Sequence, residues 1–191
     1  MDYLMLIDKF NPLPKDFDKQ IALMDIQNKQ LECQACNQCR LLLNKAEKDG
    51  VLIKIISAYR SADYQQRLWE KSVGELIGKG FTESEAAVET AKTLAYPGCS
   101  EHNAGLAVDF GTEDADDVEE NFYKSVQGKW LCKNAQRFGF VLRYPRMKEH
   151  ITGISYEPWH YRYVGTEAAE FMKNSGLCLE EFLHFYSEKY I

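Results

Sequence analysis

The sequence lacks any cluster of basic residues: 23 Lys and Arg are scattered against 29 Asp and Glu, leaving a formal charge of −6. Neutralising phosphates requires basic side chains gathered on one face, so the composition argues against a nucleic-acid binder and equally against a basic membrane-surface helix. No apolar run approaches the roughly 20 residues that cross a bilayer. Met1 to Phe10 has no basic start, only a four-residue apolar run and no small-residue cleavage site, so no export signal is expected. Six cysteines without an export signal, in a chain of 191 residues, fit a reducing compartment better than a disulfide scaffold, and the expected location is cytoplasmic. Histidine is scarce as well, at four residues, which makes its placement informative.

With 45% hydrophobic residues there is ample material for one sizeable core, and a single domain over 1–191 is expected, its first 15 residues an irregular arm broken by Pro12 and Pro14. Leu31 to Lys48 carries apolar residues at helical spacing and stops at Gly50. Val51 to Tyr59 is short and β-branched, a buried strand that delivers Tyr59-Arg60-Ser61. Helices are expected over Asp63–Leu76 and Thr82–Leu94, the second opened by a Thr82/Glu85 capping box. Further on, Leu106–Phe110, Phe140–Tyr144 and Trp159–Val164 read as strands. Trp130–Phe138, Thr166–Lys173 and Leu179–Glu188 read as helices. The acidic segment Glu113–Glu120 lacks apolar periodicity and reads as a solvated loop; Glu113–Asn121, lying between the two histidine motifs, also suits a flap over a cleft. Sequence-adjacent strands flanked by helices, without regular strand-helix-strand alternation, indicate an α+β fold on a mostly antiparallel central sheet.

Two of the four histidines stand beside acids in turn-rich contexts: Ser100-Glu101-His102-Asn103-Ala104-Gly105-Leu106-Ala107-Val108-Asp109, and Glu157-Pro158-Trp159-His160. A catalytic zinc takes three protein ligands from His and carboxylate and keeps a position open for water. His102, Asp109 and His160 meet that count and leave Glu157 free. Asp109 lies an odd number of residues beyond His102, so a turn at Gly105 must realign the two side chains. Pro158 disfavours a helical Glu157, so Glu157 and His160 must converge through a bend rather than on a helix. Spacing alone does not separate this site from a hydrogen-bonded structural pairing of His and carboxylate.

The pattern Ser100-x-His102-x-x-Gly105-x-Ala107-x-Asp109 followed by Glu157-x-x-His160 resembles the zinc D-Ala-D-Ala peptidases, which share a fold with lysostaphin-type enzymes and the hedgehog signalling domain. Within that group the likeness is to the VanY and VanXY D,D-peptidases. It rests also on Tyr59-Arg60-Ser61 with Gln65, Arg67-Leu68-Trp69-Glu70, Pro97-Gly98-Cys99, Leu142-Arg143-Tyr144-Pro145 and Ile151 to Tyr156, and it spans roughly residues 50 to 190. The resemblance implies Zn²⁺ on His102, Asp109 and His160, with the metal on the sheet and Glu157 as general base. It further implies Arg60 beside the scissile carbonyl, where a guanidinium that cannot lose its proton suits developing negative charge. Gln65 and Ser100 match positions lining the substrate cleft, and Trp159, otherwise a core residue, is placed to wall the small D-Ala methyl pocket. The implied substrates are small peptides, the peptidoglycan precursor pentapeptide and D-Ala-D-Ala, linked to glycopeptide resistance. Rivals on the same fold are an L,D-carboxypeptidase, an L-Ala-D-Glu endopeptidase and a catalytically silent zinc-binding module.

Cys33-x-x-Cys36-x-x-Cys39 invites a second metal site, but no further Cys or His stands at finger or ribbon spacing and the run lies in a helical pattern, so a structural role is expected. Cys99 beside His102 suggests a thiol nucleophile only if His102 is not a ligand. His150 and His184 read as surface or packing residues.

Overall fold

A computed structural model describes residues 1–189; the last two positions of the expected 1–191 domain lie outside the described residues. The chain begins as the expected irregular arm and, after a short 3-10 turn at Phe17–Lys19, forms a hairpin of β1 (Leu23–Ile26) and β2 (Lys29–Glu32). Sequence reading gave Leu31 and Glu32 to the following helix instead. The hairpin turns on Gln27 and Asn28, both at positive φ (45° and 61°), the tight two-residue turn that matches strand twist. Its usual Asn-Gly signal is absent, which is why the pattern hid it. Glu32 then caps α1 (Cys33–Lys48), its Oε2 accepting from the Gln34 and Ala35 amides at 2.9 and 3.1 Å.

The central sheet contains β3 (Lys54–Ser57), β4 (Ala107–Gly111), β5 (Phe140–Leu142) and β6 (His160–Tyr163), antiparallel throughout in the order β3-β4-β6-β5. Strand β3 is shorter than Val51–Tyr59, and its pairing with β4 slips between Ile55 and Ser57. Side chains alternate across a strand. Val108, Phe110, Tyr161 and Tyr163 therefore share the main core with Ala35, Cys36, Cys39 and Leu42 of α1, while Asp109, His160 and Arg162 point to the opposite face. The thiols of Cys36 and Cys39 are buried in that core, where burial pushes both up, and among the described residues the group able to hold a metal is His102, Asp109 and His160 rather than this run, in keeping with the structural role expected of it.

Helices α2 (Ala62–Gly78) and α3 (Glu83–Thr90) form a hairpin beside the sheet; the Thr82/Glu85 capping box is present, although α3 ends at Thr90 rather than Leu94. Helix α4 (Val126–Asn134) continues as a 3-10 turn through Phe138 to left-handed Gly139, and α5 (Glu149–Thr152) is a single turn. Helices α6 (Thr166–Ser175) and α7 (Leu179–Lys189) close the molecule. Their Ala169, Met172, Leu179 and Phe182 form a second core with Val141 and Val164, against which Leu4 and Leu6 of the arm pack. The arm is thus docked on the C-terminal helices.

The flap expectation for 113–121 is overturned. Asp109 pairs with Ser57 at one end of the β3/β4 ladder, whereas Gly111 pairs with Lys54 at the other, so β4 carries the chain away from the histidines before the acidic segment begins. Lys54 Nζ then holds the Ala115 carbonyl, and Glu113 lines a surface cleft with Leu43 and Glu47 of α1.

Candidate metal centre

Ser100 caps the 3-10 turn Glu101–Ala104, its Oγ accepting from the His102 amide at 3.3 Å, and Gly105 ends that turn in the left-handed region at φ 66°. This is the realigning turn that the spacing demanded. A Cβ at Gly105 would stand 2.9 Å from the Glu32 backbone nitrogen, whose N–H donates to the Gly105 carbonyl. Gly105→Ala is therefore expected to lose at least about 1–2 kcal/mol of stability from its backbone conformation alone, with the clash added. Urea unfolding measures this, and an unchanged midpoint would contradict it. The second half forms as the proline required: Glu157-Pro158-Trp159-His160 is a β-turn, with His160 N–H donating to the Glu157 carbonyl at 3.3 Å and Pro158 in the favoured second position.

The β4/β6 register sets Asp109 opposite His160, and the turn brings His102 onto the same spot. His102 Nε2 lies 3.2 Å from Asp109 Oδ2; His160 Nδ1 lies 3.1 Å from Asp109 Oδ1 and 3.5 Å from Glu157 Oε2. All four residues are buried. The Ala58 carbonyl, an acceptor only, sits 2.6 Å from His102 Nδ1, so the proton is there and Nε2 offers a lone pair. Yet His102 Nε2 and Asp109 Oδ1 make no hydrogen bond of acceptable geometry despite full burial. Such orphaned acceptors are costly unless something else meets them. A tetrahedral zinc with bonds near 2.0–2.1 Å separates neighbouring ligand atoms by about 3.4 Å. The three residues can each offer one ligand atom, all within 4.8 Å of one another, and so fit zinc.

The electrostatics agree. Burial, with the nearby Arg60, pushes His102 down to about 4 and keeps it neutral. Burial would raise Asp109, but the two imidazoles hold it well below the usual carboxylate range. Burial would lower His160, but Asp109 and Glu101 raise it to about 9, and burial with Asp109 nearby pushes Glu157 up to about 8. A cation at the orphaned atoms would displace the proton from His160 Nδ1, the usual exchange of protons for metal.

Arg60 is half-buried, its Nε without a partner and its charge felt at both His102 and Glu157. It is locked to the metal turn, its amide donating to the His102 carbonyl at 3.1 Å and its carbonyl accepting from Asn103 Nδ2 at 2.7 Å. Gln65 is fully buried; Nε2 donates to the Ala95 carbonyl at 2.7 Å while Oε1 is unpaired. Ser100 is buried in its capping role. Trp159 is half-buried against the main core. His150 and His184 are exposed, and Cys99 is a buried thiol pushed up by burial, not an activated nucleophile.

Sequence reading gave no role to Glu101, Arg143 or Arg162, all buried to 1% exposure or less. The signal was available: Arg143 and Arg162 are charges inside or at the end of short apolar strands, where an unpaired charge is not tolerated.

Comparison with known proteins places this geometry. The family described as VanY, D-alanyl-D-alanine carboxypeptidase, matches residues 28–166. A D-alanyl-D-alanine carboxypeptidase of Enterococcus faecalis is 38% identical over 181 residues, 95% of this chain but 65% of the relative, so the chain spans about two thirds of that protein. The bifunctional D-Ala-D-Ala dipeptidase and carboxypeptidase VanXYC of Enterococcus gallinarum is 34% identical, covering 98% of this chain and 97% of its own length. Among solved structures, a vancomycin resistance D,D-pentapeptidase VanY in complex with Zn(II) superposes with a TM-score of 0.85 at 38% identity, covering 96% of this chain and 99% of that one. The LdcB LD-carboxypeptidase gives 0.77 at 31% identity, covering 95% and 86%. A match over most of the chain, joined to a relative 34% identical over 98% of this chain and 97% of its own length, makes this protein a member of the VanY D-alanyl-D-alanine carboxypeptidase family.

Proposed function

We propose that this protein is a zinc-dependent D,D-carboxypeptidase that removes the terminal D-Ala from peptidoglycan precursor stem peptides, with free D-Ala-D-Ala as a second substrate. The observation that carries the reading is the convergence of His102, Asp109 and His160, with His102 Nε2 and Asp109 Oδ1 buried and orphaned, and with the carboxyl group of Glu157 3.5 Å from His160 Nδ1. A zinc held by these three residues supplies a Lewis acid for the scissile carbonyl and acidifies water.

Glu157 takes the proton of the attacking water and passes it to the departing D-Ala amine. Its burial and its carboxylate neighbour raise its affinity for that proton, as a relay between the two steps requires. Arg60, fixed by its backbone to the His102 turn, faces the negative charge that develops on the carbonyl oxygen. The unpaired Oε1 of Gln65 is a buried acceptor suited to a substrate amide; Ser100 caps the turn that carries His102 and remains a candidate contact there, whereas Trp159 packs against the main core, which counts against it as the wall of the methyl pocket. The catalytically silent module is disfavoured, because a silent site has no need of a buried, unligated Glu157.

The likeness to the LdcB enzyme favours L,D-carboxypeptidase activity as the second reading. Pentapeptide and tetrapeptide stems, scored for released D-Ala, separate the two. Release from pentapeptide and from D-Ala-D-Ala is expected, and release from tetrapeptide alone would overturn the D,D assignment. Among the described residues no helix is long and apolar enough to cross a membrane. The cysteines are unpaired, which supports a reducing, cytoplasmic setting where soluble precursors would be met. Removal of terminal D-Ala there is the chemistry that would link the protein to glycopeptide resistance.

A further inference from the structure

Behind His160 lies a buried charge cluster, built on Glu101, that the proposed proton relay does not use. Glu101 has no exposed side-chain surface. Its Oε1 accepts from Arg143 Nε at 2.6 Å and from Arg162 Nη1 at 2.7 Å, while its Oε2 lies 3.3 Å from His160 Nε2. The two oxygens are thus divided: one is clamped by guanidinium groups, and the other is left for the imidazole. A carboxylate accepting the N–H of a metal-ligating histidine fixes the ring and the tautomer, here with Nδ1 as the free lone pair.

What keeps the division is outside the site. The remaining Arg143 nitrogens, Nη1 and Nη2, donate to Glu180 of α7 at 3.0 and 2.7 Å, a two-pronged pair that fixes the guanidinium plane. Arg162 spends its Nη2 on the Tyr3 and Met5 carbonyls of the arm, at 3.1 and 2.9 Å, and its Nε on the Tyr163 carbonyl. Without Glu180, the Arg143 fork is free to turn and take both Glu101 oxygens, the arrangement arginine and carboxylate prefer. That would draw Oε2 away from His160.

We infer that Glu101 is a positioning residue for His160, and that α7, through Glu180 and Arg143, sets how well His160 is presented to the metal. The C-terminal helix is then part of the metal centre although it contributes no ligand. The inference rests on the zinc assignment above but not on the choice of substrate.

The test uses the full chain and a control on the same helix. Glu181 also ties α7 to the body, through Lys148 Nζ at 2.7 and 2.8 Å, but it has no link to Glu101. Glu180→Ala and Glu181→Ala therefore loosen the same helix and differ in the relay. Zinc affinity is read by competition with a chromophoric chelator, and ligand geometry by the visible spectrum of the cobalt(II)-substituted protein. Glu180→Ala is expected to weaken zinc about tenfold and to shift the cobalt bands, and Glu101→Gln to weaken it by about 10- to 100-fold. Glu180→Gln, which keeps an oxygen for Arg143, recovers most of the affinity, and Glu181→Ala matches the unaltered protein. Equal zinc loss in the two alanine variants would reduce α7 to a structural support and overturn the inference, as would unchanged affinity in Glu180→Ala. Failure of the unaltered protein to bind zinc would overturn the metal reading with it, whereas zinc binding without D-Ala release would sink only the substrate reading.

Discussion

Glu157→Gln is expected to lower kcat by about 100- to 10,000-fold, the usual contribution of a positioned acid-base group, while zinc stays bound. Glutamine matches the shape and keeps an oxygen 3.5 Å from His160 Nδ1, so the ligand set is undisturbed. It cannot accept a proton. The loss should fall on kcat rather than KM, because the proton moves in the transition state and not on binding. Glu157 is 6% exposed, and its neighbours Asp109 and His160 are buried too, so bulk water or buffer cannot easily replace it. Zinc content and kcat measured on the same preparation decide the point. Metal-loaded Glu157→Gln protein with unchanged kcat would falsify the base assignment, whereas loss of both zinc and activity would move Glu157 into the ligand set.

The residues that converge on the candidate metal site were named through the family resemblance, and their backbone was legible in the sequence for a specific reason. Histidine is scarce, and each of the two useful histidines is attached to a residue that dictates its backbone, Gly105 on one side and Pro158 on the other. The left-handed Gly105 and the proline β-turn then appear as those residues require. The strands of the sheet were legible as well, since Val108/Phe110 and Tyr161/Tyr163 alternate with polar positions that face the site. Two things were hidden. The β1/β2 hairpin turns on Gln27-Asn28, a pair without the glycine that marks such turns. The Glu101 cluster joins residues 3, 5, 101, 143, 160, 162 and 180, and pairing between charges so far apart in sequence leaves no local pattern. Arg162 in the middle of a buried strand was the visible clue, because only a buried partner makes such a residue tolerable.

Stripping the metal is expected to abolish turnover, to lower the unfolding temperature, and to do both reversibly on adding zinc. The two effects have one origin. In the metal-free cluster Asp109, Glu157 and Glu101 crowd a single His160, and the buried His102 Nε2 and Asp109 Oδ1 have no hydrogen bond. A cation that binds only the folded chain stabilises it by about 4 kcal/mol when free zinc is 1,000 times Kd. For a chain of this size each kcal/mol moves the unfolding temperature by about 2–4 °C. A drop on the order of 10 °C is therefore expected on chelation, and it should track free zinc concentration rather than chelator concentration. His102→Ala should lose both responses, since it removes the lone pair that the Ala58 carbonyl holds in place. If chelated protein kept its activity, or if zinc left the unfolding temperature unchanged, the orphaned atoms would need another explanation. The remaining candidate would be a proton shared between Asp109 and His160, and the melting temperature would then follow pH instead of zinc.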